Sequence, residues 1–148
     1  MQKKIEIKNK KAYFEYFLEE KFTAGIILTG TEIKSIREGK ASITEAYCAF
    51  QNGELFVKNM HIAEYKYAAE NNHELRRERK LLLNAREIKK LINRTKEKGF
   101  AIIPILLFLN EKGFAKLEIA IAKGKKLYDK RDTIKQKDVT RDLERQRI

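Results

Sequence analysis

Several features that would assign this chain to a common protein class are missing or scarce. It has one cysteine, Cys48, so no disulfide can form within the chain, which fits a reducing cytoplasm. The longest apolar run, residues 100–109, is well short of the roughly 20 residues that cross a bilayer. The first residues lack the apolar centre of a signal peptide. We therefore expect a cytoplasmic protein with no membrane contact.

Residues for catalysis are also scarce. Two histidines, His61 and His73, and one cysteine have no spacing that resembles a metal site, and no glycine-rich phosphate loop is present. Cys48 alternates with Ala46 and Phe50 in a strand-like segment, which favours a small buried residue over a nucleophile. We expect no cofactor, no metal ion and no enzymatic activity. An RNA-processing enzyme using Glu32 and a histidine is the catalytic alternative.

What the chain does have is positive charge in two zones. Its net charge is +12. Residues 75–100 hold ten Lys and Arg against three acids, and residues 123–148 hold ten against five. The remaining residues hold thirteen of each sign, so all of the excess lies in the two zones. Two focused basic zones on a neutral body are typical of a protein that binds a polyphosphate such as RNA.

Local patterns predict three short helices. Asn9 caps a helix over residues 10–20. Thr29 with Glu32 forms a capping box before a short helix that ends at Gly39. Asn84 begins a third helix, with the same cap-plus-acid spacing, that ends at Gly99.

The remaining apolar segments predict strands. Asn52-Gly53 predicts a tight turn between strands 46–51 and 54–60. A second hairpin joins 101–109 to 114–122, with Pro104 marking an edge or a bulge. The other expected segments are strand 22–28, a sheet extension at 63–67 and a loop at 71–80.

Hairpins without regular βαβ alternation favour a small closed antiparallel sheet. The predicted fold is mainly β: a six-stranded antiparallel OB-type barrel with three short helices and a disordered basic C-terminal tail. We place the barrel in residues 1–123 and the tail in residues 124–148. The tail holds too few apolar residues to fold alone.

The basic run from Arg76 to Lys80 is the best candidate for RNA contact outside the tail. Arginine forks onto phosphates and stacks on exposed bases. The alternative is a solvated charge run. His73 is either an ordinary loop residue or a further RNA contact, and Asn84 is first a helix cap.

The tail has the pattern of a latent helix. Lys137, Arg141 and Arg145 recur every four residues, so they share one face of a helix. RNA phosphates would offset the repulsion between these cations. Binding to RNA is therefore expected to drive helix formation. Tyr128, flanked by basic pairs, is suited to stacking on a base. The alternative is a frayed terminus without a role.

Together these segments resemble the SmpB family, whose members bind transfer-messenger RNA (tmRNA). The resemblance covers about residues 5–147. Its most specific pieces are Ala24-Gly25-Ile26, Leu28-Thr29-Gly30-Thr31-Glu32-Ile33-Lys34-Ser35-Ile36-Arg37, Gly39-Lys40-Ala41, Arg79-Lys80-Leu81-Leu82-Leu83-Asn84, Gly124-Lys125-Lys126 and Asp129-Lys130-Arg131.

The resemblance implies bacterial ribosome rescue by trans-translation. The barrel would bind the tRNA-like domain of tmRNA as a 1:1 monomer, and the pair would enter the empty A site of a stalled 70S ribosome. The tail would occupy the 16S rRNA decoding centre and the mRNA channel. Elongation factor Tu would take part indirectly, by delivering alanyl-tmRNA. A general RNA chaperone or ribosomal protein is the alternative among binding proteins.

Two sets of site residues follow. The expected RNA contacts are Asn9, Lys10, Lys11, Glu32, Lys34, Arg37, Arg76, Arg77, Arg79, Lys80, Leu82 and Asn84. The expected tail contacts on the ribosome are Gly124, Lys125, Lys126, Tyr128, Asp129, Lys130, Arg131, Lys137, Arg141 and Arg145. The chain departs from the family pattern at Thr23, where an RNA-linked Glu is frequent, at Tyr13-Phe14, where Arg-His is common, and at Tyr128, where some members have His.

Overall fold

The computed structural model describes residues 5–68 and 72–125. Within them, the elements are β1 (Glu6–Lys8), α1 (Lys10–Glu15), β2 (Tyr16–Ile26), α2 (Gly30–Arg37), β3 (Ala41–Ser42), β4 (Tyr47–Gln51), β5 (Glu54–Lys58), β6 (His61–Ile62), β7 (Arg79–Leu82), α3 (Ala85–Thr95), β8 (Phe100–Leu109) and β9 (Ala115–Gly124). The predictions for the tail beyond Lys125, including a helix and disorder, lie outside the described residues.

The main sheet closes on itself. Its seven strands follow the order β1-β8-β4-β5-β7-β2-β9, and β8 also pairs with β9. Six strands therefore form a ring, and β1 attaches to β8. All of the pairings are antiparallel, and β3 with β6 forms a separate two-stranded sheet. The prediction of a mainly β fold with three helices is confirmed.

Both predicted hairpins are present. Asn52 and Gly53 have φ angles of 51° and 79°, the positive values that a two-residue turn requires. The second hairpin joins β8 to β9, and its register shifts between Pro104 and Leu106. Proline has no N–H to donate to a ladder, so the irregularity predicted at Pro104 is confirmed.

The core lies inside the ring. Strand alternation sends every second side chain inward, and fully buried examples include Leu55, Val57, Leu107 and Leu117. Cys48 is buried as predicted, and burial raises the pKa of its thiol. A thiol kept protonated in the core is a poor nucleophile.

The predicted helix starts are confirmed. The side chains of Thr29 and Asn84 each accept a hydrogen bond from the backbone N–H three residues on, and the carboxylates of Glu32 and Glu87 accept from the backbone N–H of the cap residue. The Asn9 side chain accepts from the N–H of Ala12. No helix within 5–68 and 72–125 is long and apolar enough to span a membrane.

Several predicted boundaries are wrong, including the end of the third helix, which lies at Thr95 and not at Gly99. The first helix ends at Glu15, not near residue 20, because the following residues pair with β9. Residues 63–67 form no strand; the Asn72 side chain instead bonds the backbone of Tyr65 and Ala68, closing a turn. The expected loop 71–80 gives way to β7 at Arg79, which pairs with β5 and β2.

Candidate RNA interface

The outer surface of three neighbouring strands brings the most promising residues together. Leu82 on β7 lies opposite Gly25 on β2, which lies opposite Lys116 on β9. A methyl group built on Gly25 would lie 3.3 Å from the Leu82 Cβ and 3.8 Å from the Lys116 Nζ. Because Gly25 has no side chain, nothing projects between Leu82 and Lys116 in this row of three residues, and the Leu82 side chain is 51% exposed. We call this row and its outward neighbours on the same strands the Leu82 face.

Other outward positions extend the Leu82 face. Lys80, two residues before Leu82, bonds Glu54 at 2.9 Å, and Ile27 beside it is 46% exposed. Thr23 lies directly opposite Glu118. The result is an exposed apolar surface with lysines at its edges. The apolar part suits RNA bases and the lysines suit phosphates.

Asn84 lies at the border of this face. It is exposed, and its side-chain oxygen accepts from the Glu87 N–H at 2.8 Å. Its amide nitrogen has no hydrogen-bond partner among the described residues, so the cap leaves a free donor on an exposed side chain. The helix-cap prediction is confirmed, and a donor for RNA remains.

Arg79 does not lie on this face, because alternation along β7 points its side chain inward. It is fully buried, and its Nε forms an ion pair with the equally buried Glu32. Its Nη1 donates to the carbonyl oxygen of Met60 at 2.6 Å, and its Nη2 donates to those of Glu74 and Leu75. The view of Arg79 as an exposed loop cation is wrong.

Two further groups donate hydrogen bonds to the Glu32 carboxylate. Arg77 Nη2 lies 2.6 Å and the Thr29 N–H 2.8 Å from its Oε1. Burial is the largest influence on its pKa and acts to raise it, but hydrogen bonds from Arg77, Thr29 and Arg79 outweigh burial and hold the pKa below its ordinary value. Glu32 and Arg79 form a structural pair that ties α2 to β7.

Because of the Glu32–Arg79 pair, we expect the free energy of unfolding to fall in acid. The unfolded chain protonates Glu32 near its ordinary pKa of about 4.3, whereas the folded chain does so at lower pH. Its contribution is therefore complete above about pH 5 and is lost as pH falls through the folded-state pKa. We expect Glu32→Gln to flatten the fall in unfolding free energy below pH 5, measured by urea unfolding from pH 7 to 3. Parallel curves for Glu32→Gln and the exposed control Glu54→Gln would contradict this.

The remaining residues in and near the basic run differ in their exposure to solvent. Arg76 is exposed and bonds Asn59 at 2.5 Å, and Arg77 is partly buried by its bond to Glu32. His73 is buried, with one ring nitrogen 2.8 Å from Thr31 Oγ1 and the other 2.9 Å from the Ile62 carbonyl oxygen. It connects α2 to β6 and exposes little for RNA.

The two cationic α2 candidates are three residues apart on the helix and do not belong to the strands of the Leu82 face. Lys34 is exposed, with its Nζ 5.4 Å from the centre of the Tyr65 ring. Arg37 is exposed, and its Nη2 lies 3.9 Å from the Cβ position of Gly113 in the β8–β9 turn. Both remain available to an RNA that extends beyond the face.

The three α1 candidates lie at the other end of β2. Tyr16 and Gly25 are nine positions apart on this strand, roughly 30 Å of chain. Asn9 is buried, and its amide donates to the carbonyl oxygens of Pro104 and Ile43. Lys10 and Lys11 are exposed, and a hydrogen bond to Glu45 raises the pKa of Lys11. The structure therefore does not bring α1 and the Leu82 face together.

The described chain ends beside α1. The Lys125 N–H donates to the Glu15 carbonyl oxygen at 3.0 Å, and the Lys125 Nζ lies 5.0 Å from the centre of the Phe17 ring. Gly124 ends β9 opposite Tyr16. The other tail candidates lie outside the described residues: Lys126, Tyr128, Asp129, Lys130, Arg131, Lys137, Arg141 and Arg145.

Four residues of this surface were not among the sequence candidates: Gly25, Ile27, Lys116 and Glu118. Alternation in β9 places Leu117 inward and its two neighbours outward, a signal that the sequence carries. Their alignment with Gly25 and Thr23 depends on strand register, which no local pattern specifies.

Sequence and structure both relate this chain to known proteins. A family model described as SmpB protein matches residues 6–147. The SsrA-binding protein of Phocaeicola vulgatus is 61% identical over 141 residues, covering 95% of this chain and 94% of that protein. The SsrA-binding protein of Bacteroides thetaiotaomicron is 59% identical over 144 residues, covering 97% and 96%. A solved structure described as "tmRNA-SmpB: a journey to the center of the bacterial ribosome" matches with a TM-score of 0.71 and 38% identity, over 83% of this chain and 86% of that one.

Proposed function

This chain belongs to the SmpB family, and we propose that it binds tmRNA and carries it into stalled ribosomes for peptide tagging and ribosome release. The observation that carries the proposal is the Leu82 face. It joins an exposed apolar surface to Lys80 and Lys116 on a sheet that holds them in fixed positions. These are the features by which a sheet binds unstacked bases and neighbouring phosphates.

The proposal divides the chain into two functional parts. The ring, which we assign as an OB-type barrel of residues 1–123, holds the tRNA-like domain of tmRNA in a 1:1 complex. The tail, residues 124–148, enters the decoding centre and mRNA channel of the 70S ribosome and becomes a helix there. Alanyl-tmRNA arrives with elongation factor Tu, and the chain itself acts by binding in the bacterial cytoplasm, without catalysing a reaction.

Among the sequence candidates, direct RNA contact is assigned to side chains with exposed polar or apolar surface. They are Lys80, Leu82 and Asn84, with Lys34, Arg37 and Arg76 at the periphery. Asn9, Glu32 and Arg79 support the fold instead, because their side chains are buried and bonded within the protein.

Reconstituted translation tests the function directly. On a message that lacks a stop codon, adding this protein to ribosomes, elongation factor Tu and alanyl-tmRNA should produce tagged peptide. Omitting the protein should leave peptidyl-tRNA untagged. Equal tagging with and without the protein would refute the proposed role.

Charge reversal at Lys80 tests the Leu82 face. We expect Lys80→Glu to weaken tmRNA binding and to lower the slope of log affinity against log salt by about one, since one phosphate contact is lost. The measurement is equilibrium binding to the tRNA-like domain over a range of salt concentrations.

Lys98→Glu is the matched control for this variant. Lys98 belongs to the same basic segment and is exposed, but it lies beyond the far end of α3. Equal losses of affinity in both variants would mean that net charge, and not this face, determines binding.

A further inference from the structure

Glu118 is an acid in the middle of a surface that we assign to an anionic partner. It projects outward from β9, two residues from Lys116, and faces Thr23 across the β2–β9 pair. On its other side it faces Leu106 of β8. Among the described residues, it is the one carboxylate in the part of the Leu82 face formed by residues 23–27, 80–82 and 116–118.

Its surroundings in the protein do not account for its presence. Its ion-pair partner is Lys21, whose Nζ lies 4.0 Å from Glu118 Oε1, at the limit of such a contact. The Glu118 side chain is only 26% exposed, so it is partly desolvated without a close partner. An ion pair this long, with the Lys21 side chain 49% exposed, contributes little to stability.

A carboxylate at this point has a clear use in RNA recognition. It repels phosphate, so it weakens general affinity, but it accepts hydrogen bonds from the Watson–Crick edge of an unstacked base. The exposed Leu82 and Ile27 side chains offer the flat apolar surface on which such a base would lie. An acid of this kind is a means of selecting one RNA over others.

From this geometry we propose that Glu118 is a specificity-determining residue, accepting a hydrogen bond from the amino or imino group of an unstacked tmRNA base. The inference rests on the proposed function, because it requires tmRNA on the Leu82 face. Glu118 does not bind phosphate, and its role is to favour tmRNA over RNA that lacks a base in this position.

The test exploits the sign of the charge change. General electrostatics predicts that Glu118→Gln, which removes a negative charge, strengthens binding to any RNA. The proposal predicts about five-fold weaker binding to the tRNA-like domain, because the neutral amide oxygen of Gln accepts a hydrogen bond only about half as strong as that of the carboxylate. Its salt slope should be unchanged, because no phosphate contact is lost. Binding to bulk tRNA should be unchanged or tighter, so discrimination falls.

An exchange of two residues provides the rescue. Thr23 and Glu118 are directly opposed, so their Cβ atoms lie about 5 Å apart. The pair Thr23→Glu with Glu118→Thr therefore returns a carboxylate to the neighbouring position on the same face, within reach of the same base. We expect this double variant to recover most of the tmRNA affinity that Glu118→Thr alone loses. Glu54→Gln, which removes the partner of Lys80 from the adjacent strand, is the control and should not weaken binding.

The outcomes separate the two proposals. Glu118→Gln binding tmRNA as tightly as the unmodified protein, or more tightly, would overturn the role of Glu118 while leaving the proposed function intact. An unmodified protein that binds tmRNA no better than tRNA would overturn the proposed function itself. Circular dichroism and thermal unfolding establish that each variant is folded, since both positions have solvent contact.

Discussion

Replacing Arg79 with alanine should destabilise the fold by about 3–5 kcal/mol, the cost of removing one partner of a buried ion pair. The change leaves the buried Glu32 carboxylate without its Arg79 partner and three carbonyl oxygens without their guanidinium donor. These groups join α2, the chain before β7 and the residue that precedes β6, so their loss loosens the support of the Leu82 face. We expect the thermal midpoint to fall by more than about 10 °C.

Arg76→Ala is the control for this variant. It removes the same side chain three residues earlier, where the guanidinium is exposed and bonds only Asn59 among the described residues. Surface substitutions of this kind change stability by about 0.5 kcal/mol or less. If Arg79→Ala were as stable as Arg76→Ala but lost RNA binding, Arg79 would be an RNA contact and its buried position would be wrong.

Deleting residues 132–148 should abolish peptide tagging while leaving tmRNA binding nearly intact. The deleted segment holds five Lys and Arg and four acids, so the net charge falls only from +12 to +11. General electrostatic attraction to RNA therefore changes little, whereas the proposed occupant of the mRNA channel is gone. The measurements are tmRNA affinity and the yield of tagged peptide in reconstituted translation.

A matched pair of double variants locates the effect on one helix face. Lys137→Gln with Arg145→Gln removes two charges from the proposed RNA-facing side, and Lys135→Gln with Arg147→Gln removes two from elsewhere. We expect the first pair to reduce tagging much more than the second. A truncated protein that binds tmRNA poorly yet still tags would refute the division of labour between ring and tail.

The features set by neighbouring residues were predictable from the sequence. A capping box depends on positions three apart, so Thr29 with Glu32 and Asn84 with Glu87 could be placed directly. The Asn52-Gly53 turn likewise requires a positive φ that few residue types adopt.

Arg79 shows what local patterns could not supply. Its cationic neighbours favoured a loop, and its burial depends on Glu32, which lies 47 residues earlier in the chain. The alternation of Arg79 and Leu81 with Lys80 and Leu82 does signal a strand. However, an inward-facing arginine is acceptable only where a distant carboxylate meets it, and sequence spacing does not reveal that meeting.

The same limit applied to the interface. Leu82 and Asn84 were identified through the family resemblance, but Lys116 and Glu118 joined them only through the register of β9 against β2. A slip of one residue in that register would turn both side chains into the core. The composition of the surface therefore follows from long-range pairing.

Competition between RNAs tests most directly the claim that this chain is a dedicated partner of tmRNA. Labelled tRNA-like domain would be bound to the protein at physiological salt and challenged with unlabelled tmRNA or unlabelled bulk tRNA. The account predicts that tmRNA displaces the label at far lower concentrations than tRNA does. Equal displacement by the two RNAs would contradict it and indicate a general RNA-binding protein.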